Sequence, residues 1–200
     1  MPMGRRSDHS RTQLRELILE EGHRQMAADG FADFSARQVA RAVGYSVGTI
    51  YNVFPSLDYL LIAINTRTFT LWAEFVRQRL EGVSQDRLGV LVRAYFDFAR
   101  QHTNLWTAIY AHRLPEGTTL PAGEDEARRE LTLIVMRELG DVLSGKSDAD
   151  VERLARSLIA TVHGHCTYAL DGSFALMGET DPVGLALDRV REAITAAQRD

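Results

Sequence analysis

Residues 35–54 read SARQVARAVGYSVGTIYNVF, which predicts two short helices joined by a tight turn. Ala40 is small enough for the point where two helix axes cross. Gly44 suits a connection with positive φ, which glycine adopts at little cost, and Ser46 can cap the second helix by accepting from exposed backbone N–H groups. The apolar positions that would close the pair against a third helix are Val39, Val43, Tyr45, Ile50 and Val53. The pattern is typical of a helix-turn-helix, whose second helix enters the DNA major groove.

Apolar residues recur every three or four positions along almost the whole chain, which predicts an all-α fold. We find no run with the alternation of a β-strand, and the five prolines fall at plausible element boundaries. Pro182, behind Asp181, suits the first position of the last helix. Besides the two motif helices, the spacing predicts helices over residues 11–29, 57–80, 83–102, 103–114, 128–143, 150–170 and 182–197, with a loop over 115–125.

The charge of the chain excludes a globally basic nucleic-acid binder. The 200 residues carry a net charge of -4, and residues 1–60 contain seven arginines against seven carboxylates. DNA binding must therefore come from the local placement of charge rather than from bulk attraction. The hydrophobic fraction of 45% is enough for a proper core.

Cysteine usage and hydropathy predict a cytoplasmic protein. Cys166 is the single cysteine, so no internal disulfide can form, which suits a reducing compartment. There is no apolar run of membrane-spanning length, and no apolar signal segment follows Met1. We expect no membrane partner.

The segment GFADFSARQVARAVGYSVGTIYNVFPSLDYLL, residues 30–61, resembles the head of the TetR/AcrR family of transcriptional repressors. A weaker match covers HTNLWTAIYAHR, residues 102–113, and SLIATVHGHCTYALDG, residues 157–172, which look like the helices that frame the effector cavity in one subgroup. The resemblance implies a three-helix DNA-binding head, residues 1–56, and a helical ligand-binding and dimerisation body, residues 57–200. It implies a homodimer on a palindromic operator, released by a small-molecule effector, without a cofactor.

Two positions depart from the family pattern. The family usually has His or Tyr where this chain has Val53, and Lys where it has Leu57, and both family residues contact phosphates. Their loss is expected to weaken binding without altering base readout. Arg5, Arg6, Arg11 and Arg37 are candidate replacements.

The first turn of the second motif helix is expected to face base edges. Thr49 can bond to a base edge or pack on a thymine methyl group, and Val47 can do the latter. Tyr51 and Asn52 are expected at phosphates. The predicted DNA-contacting residues are Arg37, Ser46, Val47, Gly48, Thr49, Tyr51 and Asn52. The alternative for Ser46 and Gly48 is a purely structural role, as a cap and a turn residue.

Aromatic and polar residues of the body could line a cavity for a mainly apolar ligand. The candidates are Phe69, Trp72, Phe75, Tyr95, Phe98, Trp106, Ile109, Tyr110, His163 and Tyr168. Periodicity alone favours the alternative that these rings fill the core of a helical bundle. The family resemblance favours the cavity for the set as a whole.

The last two long helices are the predicted dimer interface. On the final helix, Val183, Leu187, Val190 and Ile194 recur at helical spacing. The alternative is that this stripe is buried within its own subunit.

The sequence leaves three alternatives to a ligand-released regulator open. His163 and Cys166 lie three residues apart, hence on one helix face, and both types bind metals, so a metal-sensing regulator is conceivable. The other two alternatives are a helical enzyme and a structural adaptor. Catalysis has little support, because the chain lacks a nucleophile elbow, a phosphate-binding glycine loop and a paired cysteine motif. We expect no catalytic residues and no bound metal.

Overall fold

The computed structural model describes residues 9–114, 120, 121 and 123–199, and this part of the chain is helical without a strand. The all-α prediction is confirmed. The helices are α1 (Arg11–Asp29), α2 (Ala36–Ala42), α3 (Val47–Val53), α4 (Leu57–Leu80), α5 (Arg87–Gln101), α6 (Thr103–Ala111), α7 (Glu124–Val142), α8 (Asp148–Leu170), α9 (Ser173–Leu176) and α10 (Pro182–Arg199).

Local signals in the sequence explain where the first helices begin and turn. Ser10 and Gln13 form a capping box at the start of α1, each side chain accepting from the other's backbone N–H. Gly44 has φ 78°, as expected for the turn between α2 and α3, and the N–H of Tyr45 donates to the carbonyl of Ala40 at 2.9 Å. The helix-turn-helix predicted from residues 35–54 is confirmed.

The described chain divides into two compact units. The first lies within residues 1–68 and 104–120, and the second within residues 69–103 and 121–200. The boundary falls inside α4, so this one continuous helix contributes residues to both units. The functional boundary predicted between residues 56 and 57 remains a prediction, and the first compact unit extends beyond it.

The first unit has a core shared by α1, α2, α3, α6 and the beginning of α4. Ile18, Val39 and Ile50 are fully buried in it, and Leu105 and Ala108 of α6 belong to the same cluster. The larger members at the centre of this core are Ile18, Met26, Val39, Ile50, Phe54, Leu60 and Ile64. The buried sides of α2 and α3 therefore pack against this core.

Helix α6 is attached to this unit by polar contacts as well. The Nδ2 of Asn104 donates to the carbonyls of Ala27 and Ala28 at the end of α1, at 2.9 and 3.2 Å. His112, just past α6, lies 3.1 Å from the carboxylate of Asp58. The two bonds from Asn104 satisfy backbone carbonyls that the end of α1 leaves without helical partners.

The second unit is a bundle in which α8 packs against α5, α7 and α10. Val92, Leu139, Leu158, Val162 and Val190 supply buried apolar side chains to it. Pro182 is the first residue of α10, as predicted, and Asp181 accepts from the N–H of Gly184 at 2.9 Å.

An ion pair between the half-buried Arg87 and the buried Glu138 joins three segments of the second unit. Arg87 donates through Nε and Nη2 to both carboxylate oxygens of Glu138, at 2.6 and 2.8 Å, and through Nη1 to the carbonyls of Leu80 and Val83. Such a bidentate pair fixes geometry as well as charge. It holds α7 against the end of α4 and the start of α5.

Some boundaries differ from the prediction. Helix α7 begins at Glu124 rather than near residue 128, since three carboxylates suit the positive end of a helix. The one-turn helix α9 was not predicted. Of the loop predicted over 115–125, residues 115–119 and 122 lie outside the described residues.

Length and apolarity decide whether a helix of the described chain could cross a bilayer. No single helix there combines enough length with enough apolarity to cross a bilayer, whereas α3 and α4 pass by length and composition when taken together, with a bend of 69° between them.

Candidate functional site

One face of α3 is directed outward and the other into the core. Ile50 is fully buried, while Gly48, Tyr51 and Asn52 are exposed. The ring of Tyr51 is 42% exposed. The structure thus presents three predicted DNA-contacting residues on one accessible side of α3.

The first turn of α3 is organised by Ser46. Its Oγ accepts from the N–H of Thr49 at 3.2 Å and lies 3.0 Å from the Thr49 hydroxyl. Ser46 is exposed, and Val47 and Thr49 are half-buried beside it. Ser46 is therefore a cap, and the Thr49 hydroxyl is held by this bond in the free protein.

Helix α2 adds positive charge next to this surface. Arg37 is exposed on α2, and Arg41 is exposed one turn later on the same side. Neither forms an ion pair within the described part of the chain, so both guanidinium groups are available. Sequence reasoning missed Arg41, although its spacing of four residues from Arg37 was a usable signal.

The two positions that depart from the family pattern both belong to the first unit. Val53 is half-buried against the core, while Leu57 is 39% exposed at the start of α4. Arg11 is exposed at the start of α1, and Arg5 and Arg6 lie outside the described residues. An exposed apolar side chain therefore stands where a phosphate-binding lysine is usual.

Six of the ten predicted cavity-lining residues form one aromatic cluster in the second unit. Trp72 is 1% exposed; its ring stacks on Phe98 and meets Tyr95 edge-on, with centroids 4.8 Å away in both cases. The Tyr95 hydroxyl is 3.0 Å from Nδ1 of His163. Burial lowers the pKa of His163, which keeps the imidazole neutral at neutral pH. The members of this aromatic cluster are Phe69, Trp72, Phe75, Tyr95, Phe98 and His163.

The other four predicted lining residues lie elsewhere. Trp106, Ile109 and Tyr110 belong to the first unit, where the Trp106 and Tyr110 rings are 5.2 Å apart. Tyr168 is 50% exposed and packs on Phe174 of α9. The predicted set thus separates into the aromatic cluster of the second unit, three residues of the first unit, and the exposed Tyr168.

An apolar cavity of about 50 Å³ lies beside the aromatic cluster in the second unit. Of the ten residues predicted to line a ligand cavity, Tyr95 alone is on its wall. Other residues of the wall include Leu88, Val92, Val135 and Leu158. Sequence periodicity could not identify this cavity, because its walls are ordinary core residues of four different helices.

The structure does not support the metal-sensing alternative at His163 and Cys166. His163 is engaged with Tyr95, and burial raises the pKa of the fully enclosed Cys166 thiol to about 12. A metal-binding cysteine must be a thiolate, which this environment disfavours. Within the described residues, no three His, Cys, Asp or Glu side chains are grouped so that they could hold a metal.

The stripe predicted as the dimer interface is packed inside the subunit. Leu187, Val190 and Ile194 are only 8%, 4% and 7% exposed, because α10 uses them to pack on α5 and α8; Val183 is half-buried. Leu187, Val190 and Ile194 thus fit the alternative that the stripe is buried within its own subunit, and a role of Val183 at a dimer interface stays a prediction. The outward side of α10, where Ala196 is exposed, is what remains for another chain.

Two protein-family models match the chain. The model described as "Bacterial regulatory proteins, tetR family" covers residues 18–64, which include α2, α3 and the start of α4. The model described as "Tetracyclin repressor-like, C-terminal domain" covers residues 88–191, slightly more than half of the chain. No curated protein sequence matches.

Solved structures share the fold at low sequence identity. A protein of unknown function from Rhodococcus sp. RHA1 has a TM-score of 0.72 and 22% identity, covering 96% of this chain and 98% of its own. RolR in complex with the ligand resorcinol has a TM-score of 0.65 and 17% identity, with 95% of each chain covered. The multidrug binding protein EbrR complexed with imidazole has a TM-score of 0.58 and 21% identity, covering 95% of this chain and 96% of its own.

The local geometry of residues 35–54, the helical body and the two family models agree, and the chain belongs to the TetR family of bacterial transcription regulators.

Proposed function

We propose that this chain is a transcriptional repressor that binds a palindromic DNA operator as a homodimer and is released by a small, mainly apolar molecule. The observation that carries the DNA-binding part is the outward face of α3, where Gly48, Tyr51 and Asn52 are exposed above a buried Ile50. A bacterial regulator of this kind acts in the cytoplasm, where its DNA lies.

The proposed division of roles at the DNA follows from side-chain chemistry. Val47 and Thr49, in the first turn of α3, are assigned to base edges, and Gly48 allows the backbone to approach the groove. Tyr51 and Asn52 are assigned to phosphates. Arg37 and Arg41, the second of which is suggested by its exposure on α2, are assigned to phosphates as well. Phosphate contacts position the head, whereas base contacts select the sequence.

The effector is assigned to the aromatic cluster of the second unit. Large rings supply contact area, and the Tyr95–His163 pair supplies a polar group that can orient a ligand. RolR and EbrR, which share the fold, have been solved with the small cyclic molecules resorcinol and imidazole. Trp106, Ile109 and Tyr110 also stay candidates for ligand contact, although they belong to the first unit.

Release from DNA requires linkage between the two sites. A ligand lowers operator affinity only if it binds better to a conformation that fits the operator poorly. Helix α4 is the proposed lever, because it is continuous and has residues in both compact units. Effector binding at Phe69 and Trp72 acts on the same helix whose start includes Leu60 and Ile64 of the head core.

Dimerisation is assigned to the outward sides of α8 and α10. Gly164 of α8 is exposed, with no atom within 4 Å of the position that a Cβ would take, and Ala160 and Ala196 are exposed as well. Small residues there would let the helices of two subunits approach closely. Ala196→Arg is expected to give monomers with unchanged helicity, as measured by light scattering and circular dichroism. Dimers that persist would refute this face.

A gel shift with the DNA beside the protein's own coding sequence tests the function. The wild type should form a salt-sensitive, sequence-specific complex, and Asn52→Ala or Tyr51→Ala should weaken it strongly without unfolding the protein. Glu126→Ala, an exposed change on α7, is the matched control and should bind as the wild type does. Equal binding by all three variants would show that α3 does not carry the contact.

A further inference from the structure

An arginine with an unused donor lies against the aromatic cluster. The guanidinium carbon of Arg128, on α7, lies 5.3 Å from the centroid of the Phe69 ring. The Nε of Arg128 is enclosed and has no hydrogen-bond partner. Within the described part of the chain, no carboxylate lies within ion-pairing distance of this side chain. A partly buried cation in this state lacks the compensation that buried charges normally have.

The carboxylates of Glu124 and Asp125, one turn earlier on α7, supply only part of that compensation. Burial lowers the pKa of Arg128, and the charges of Glu124 and Asp125 oppose this effect only in part. Asp125 forms its own ion pair with Arg129, at 2.9 Å. The positive charge of Arg128 is therefore available to an anion that can reach the Phe69 ring.

A second donor without a partner belongs to Trp72, whose ring stacks on the same Phe69 ring. Trp72 is 1% exposed, and its Nε1, the only polar atom of the side chain, has no partner among the described residues. Its ring stacks on Phe69, with the two planes 15° apart and centroids separated by 6.5 Å. Buried donors of this kind usually find an acceptor, so each unpaired one calls for an explanation.

We propose that the effector is an organic anion, with an oxyanion bound by Arg128 and an apolar or aromatic body resting on Phe69 and Trp72. This deepens the proposed function and rests on it, because it names the charge class of the molecule that the body would sense. The chemistry fits, since a guanidinium presents several donors to one oxyanion and the Trp72 N–H can donate to a further acceptor on the ligand.

A neutral or cationic effector would leave this arrangement unexplained. A neutral molecule would not compensate the buried charge of Arg128, and a cation would be repelled by it. The face of Phe69 already attracts the guanidinium, so a flat ligand that stacks there can keep its oxyanion beside the same group.

Matched pairs of acids and amides test the charge class directly. Binding to the full-length protein is measured by calorimetry for benzoate, 2-naphthoate, 4-phenylbutyrate and decanoate, each against the amide of the same carbon skeleton. At least one acid should bind roughly tenfold more tightly than its amide, the size expected for a charge-assisted bond. If no acid in the set binds more tightly than its amide, the inference is wrong.

Two arginine variants on the same helix turn identify the residue. Arg128→Gln removes the charge and should abolish the preference for the acid, whereas Arg128→Lys should keep part of it. Arg129→Gln is the matched control, since Arg129 is 73% exposed, and it should keep the full preference. Circular dichroism confirms that each variant is folded. A preference that survives in folded Arg128→Gln would overturn the assignment.

The indole variant gives an independent check. Trp72→Phe keeps a ring in the stack but removes the N–H, and it should weaken binding of the preferred acid several-fold. Unchanged affinity in Trp72→Phe would remove Trp72 from the proposal.

Failure here is distinguishable from failure of the proposed function. Neutral amides that bind and release the operator, while the acids do not, would leave the regulator intact and refute the anionic effector. Acids that bind at Arg128 without changing operator affinity would support the site and refute its coupling to DNA.

Discussion

Both compact units of this molecule bury polar atoms without a hydrogen-bond partner, but in different settings. In the first unit, the side-chain oxygens of Gln25 and Asn65 have no partner, while the amide nitrogens of the same side chains donate to Glu21 and to the carbonyl of Ala108. In the second unit, the sole polar atom of Trp72 has no partner among the described residues, and neither does the Nε of Arg128. The second unit thus has two donors without acceptors beside one aromatic ring, Phe69, which is the arrangement that the proposed anion site uses.

The helix-turn-helix and the second unit also differ in how local their construction is. The motif is defined by features a few residues apart, such as the Ser46 cap and the positive φ of Gly44. The second unit depends on contacts between distant residues, such as the pair of Arg87 with Glu138. Local features are visible in a sequence, and long-range contacts are not.

Val190→Arg should produce the largest effect and tests whether the second unit has its own core. Val190 is 4% exposed, so the substitution buries a charge without a partner, which costs more than about 4 kcal/mol. Hydrogen exchange should show loss of protection in α8 and α10, with α1 retaining more. Uniform loss of protection along the whole chain would mean that the two units do not unfold separately.

Glu126→Arg is the control in the same unit. Its side chain is exposed on α7, outside the proposed dimer face, so protection should stay unchanged.

Ile50→Ala is the corresponding test of the first unit. Ile50 is fully buried, and loss of its side chain should cost about 2–5 kcal/mol in stability of the head. Hydrogen exchange should speed up in α1 to α3 and stay unchanged in α8. The neighbouring exposed variant Tyr51→Ala should change stability by about 0.5 kcal/mol or less while it weakens DNA binding.

Leu57→Lys tests the position where the family usually has a phosphate-binding lysine. Each added phosphate contact steepens the dependence of log K on log salt by roughly 0.9, so the slope should increase by about one per head. Base preference should not change, because phosphate contacts carry no sequence information.

Leu71→Lys provides a matched control in the second unit. Leu71 lies on the same helix and is 38% exposed, close to the 39% of Leu57. Its slope should equal that of the wild type. If both variants steepen the slope equally, the effect is general charge and not a contact at position 57.

Acid pH should have the smallest effect, confined to the second unit. Burial lowers the pKa of both His102 and His163. The unfolded chain then binds protons at these sites more readily, so stability is present above the ordinary histidine pKa of about 6.5 and declines as the pH falls below it. Melting at about pH 5.5 should occur a few degrees lower than at about pH 7.5, and the double change His102→Asn, His163→Asn should reduce that difference. An undiminished difference would assign it to carboxylates.

The sequence predicted well what short-range chemistry determines. The turn at Gly44, the Ser46 cap and the start of α10 at Pro182 each follow from the conformational preference of one or two residues, and all are confirmed. The assignment of the chain to the TetR family rested on the same local pattern.

Periodicity could not decide what an apolar stripe packs against. Leu187, Val190 and Ile194 recur as an interface stripe would, but the subunit uses them for its own core. Likewise, aromatic content alone could not separate Trp72, in the second unit, from Trp106, in the first. The unpaired donor of Trp72 and the position of Arg128 over Phe69 depend on three-dimensional packing, so no sequence pattern indicated them.

Selection of DNA from a random pool by the full-length protein tests the central claim most directly. Two heads related by a two-fold axis should enrich an inverted repeat, with half-sites about 34–36 Å apart or a multiple of that distance. The double variant Val47→Ala, Thr49→Ala, which loses the proposed base contacts, should enrich an altered repeat or none, and Glu126→Ala should enrich the same repeat as the wild type. Enrichment of a single unrepeated motif, or of the unaltered repeat by the double variant, would contradict a dimer that reads DNA through α3.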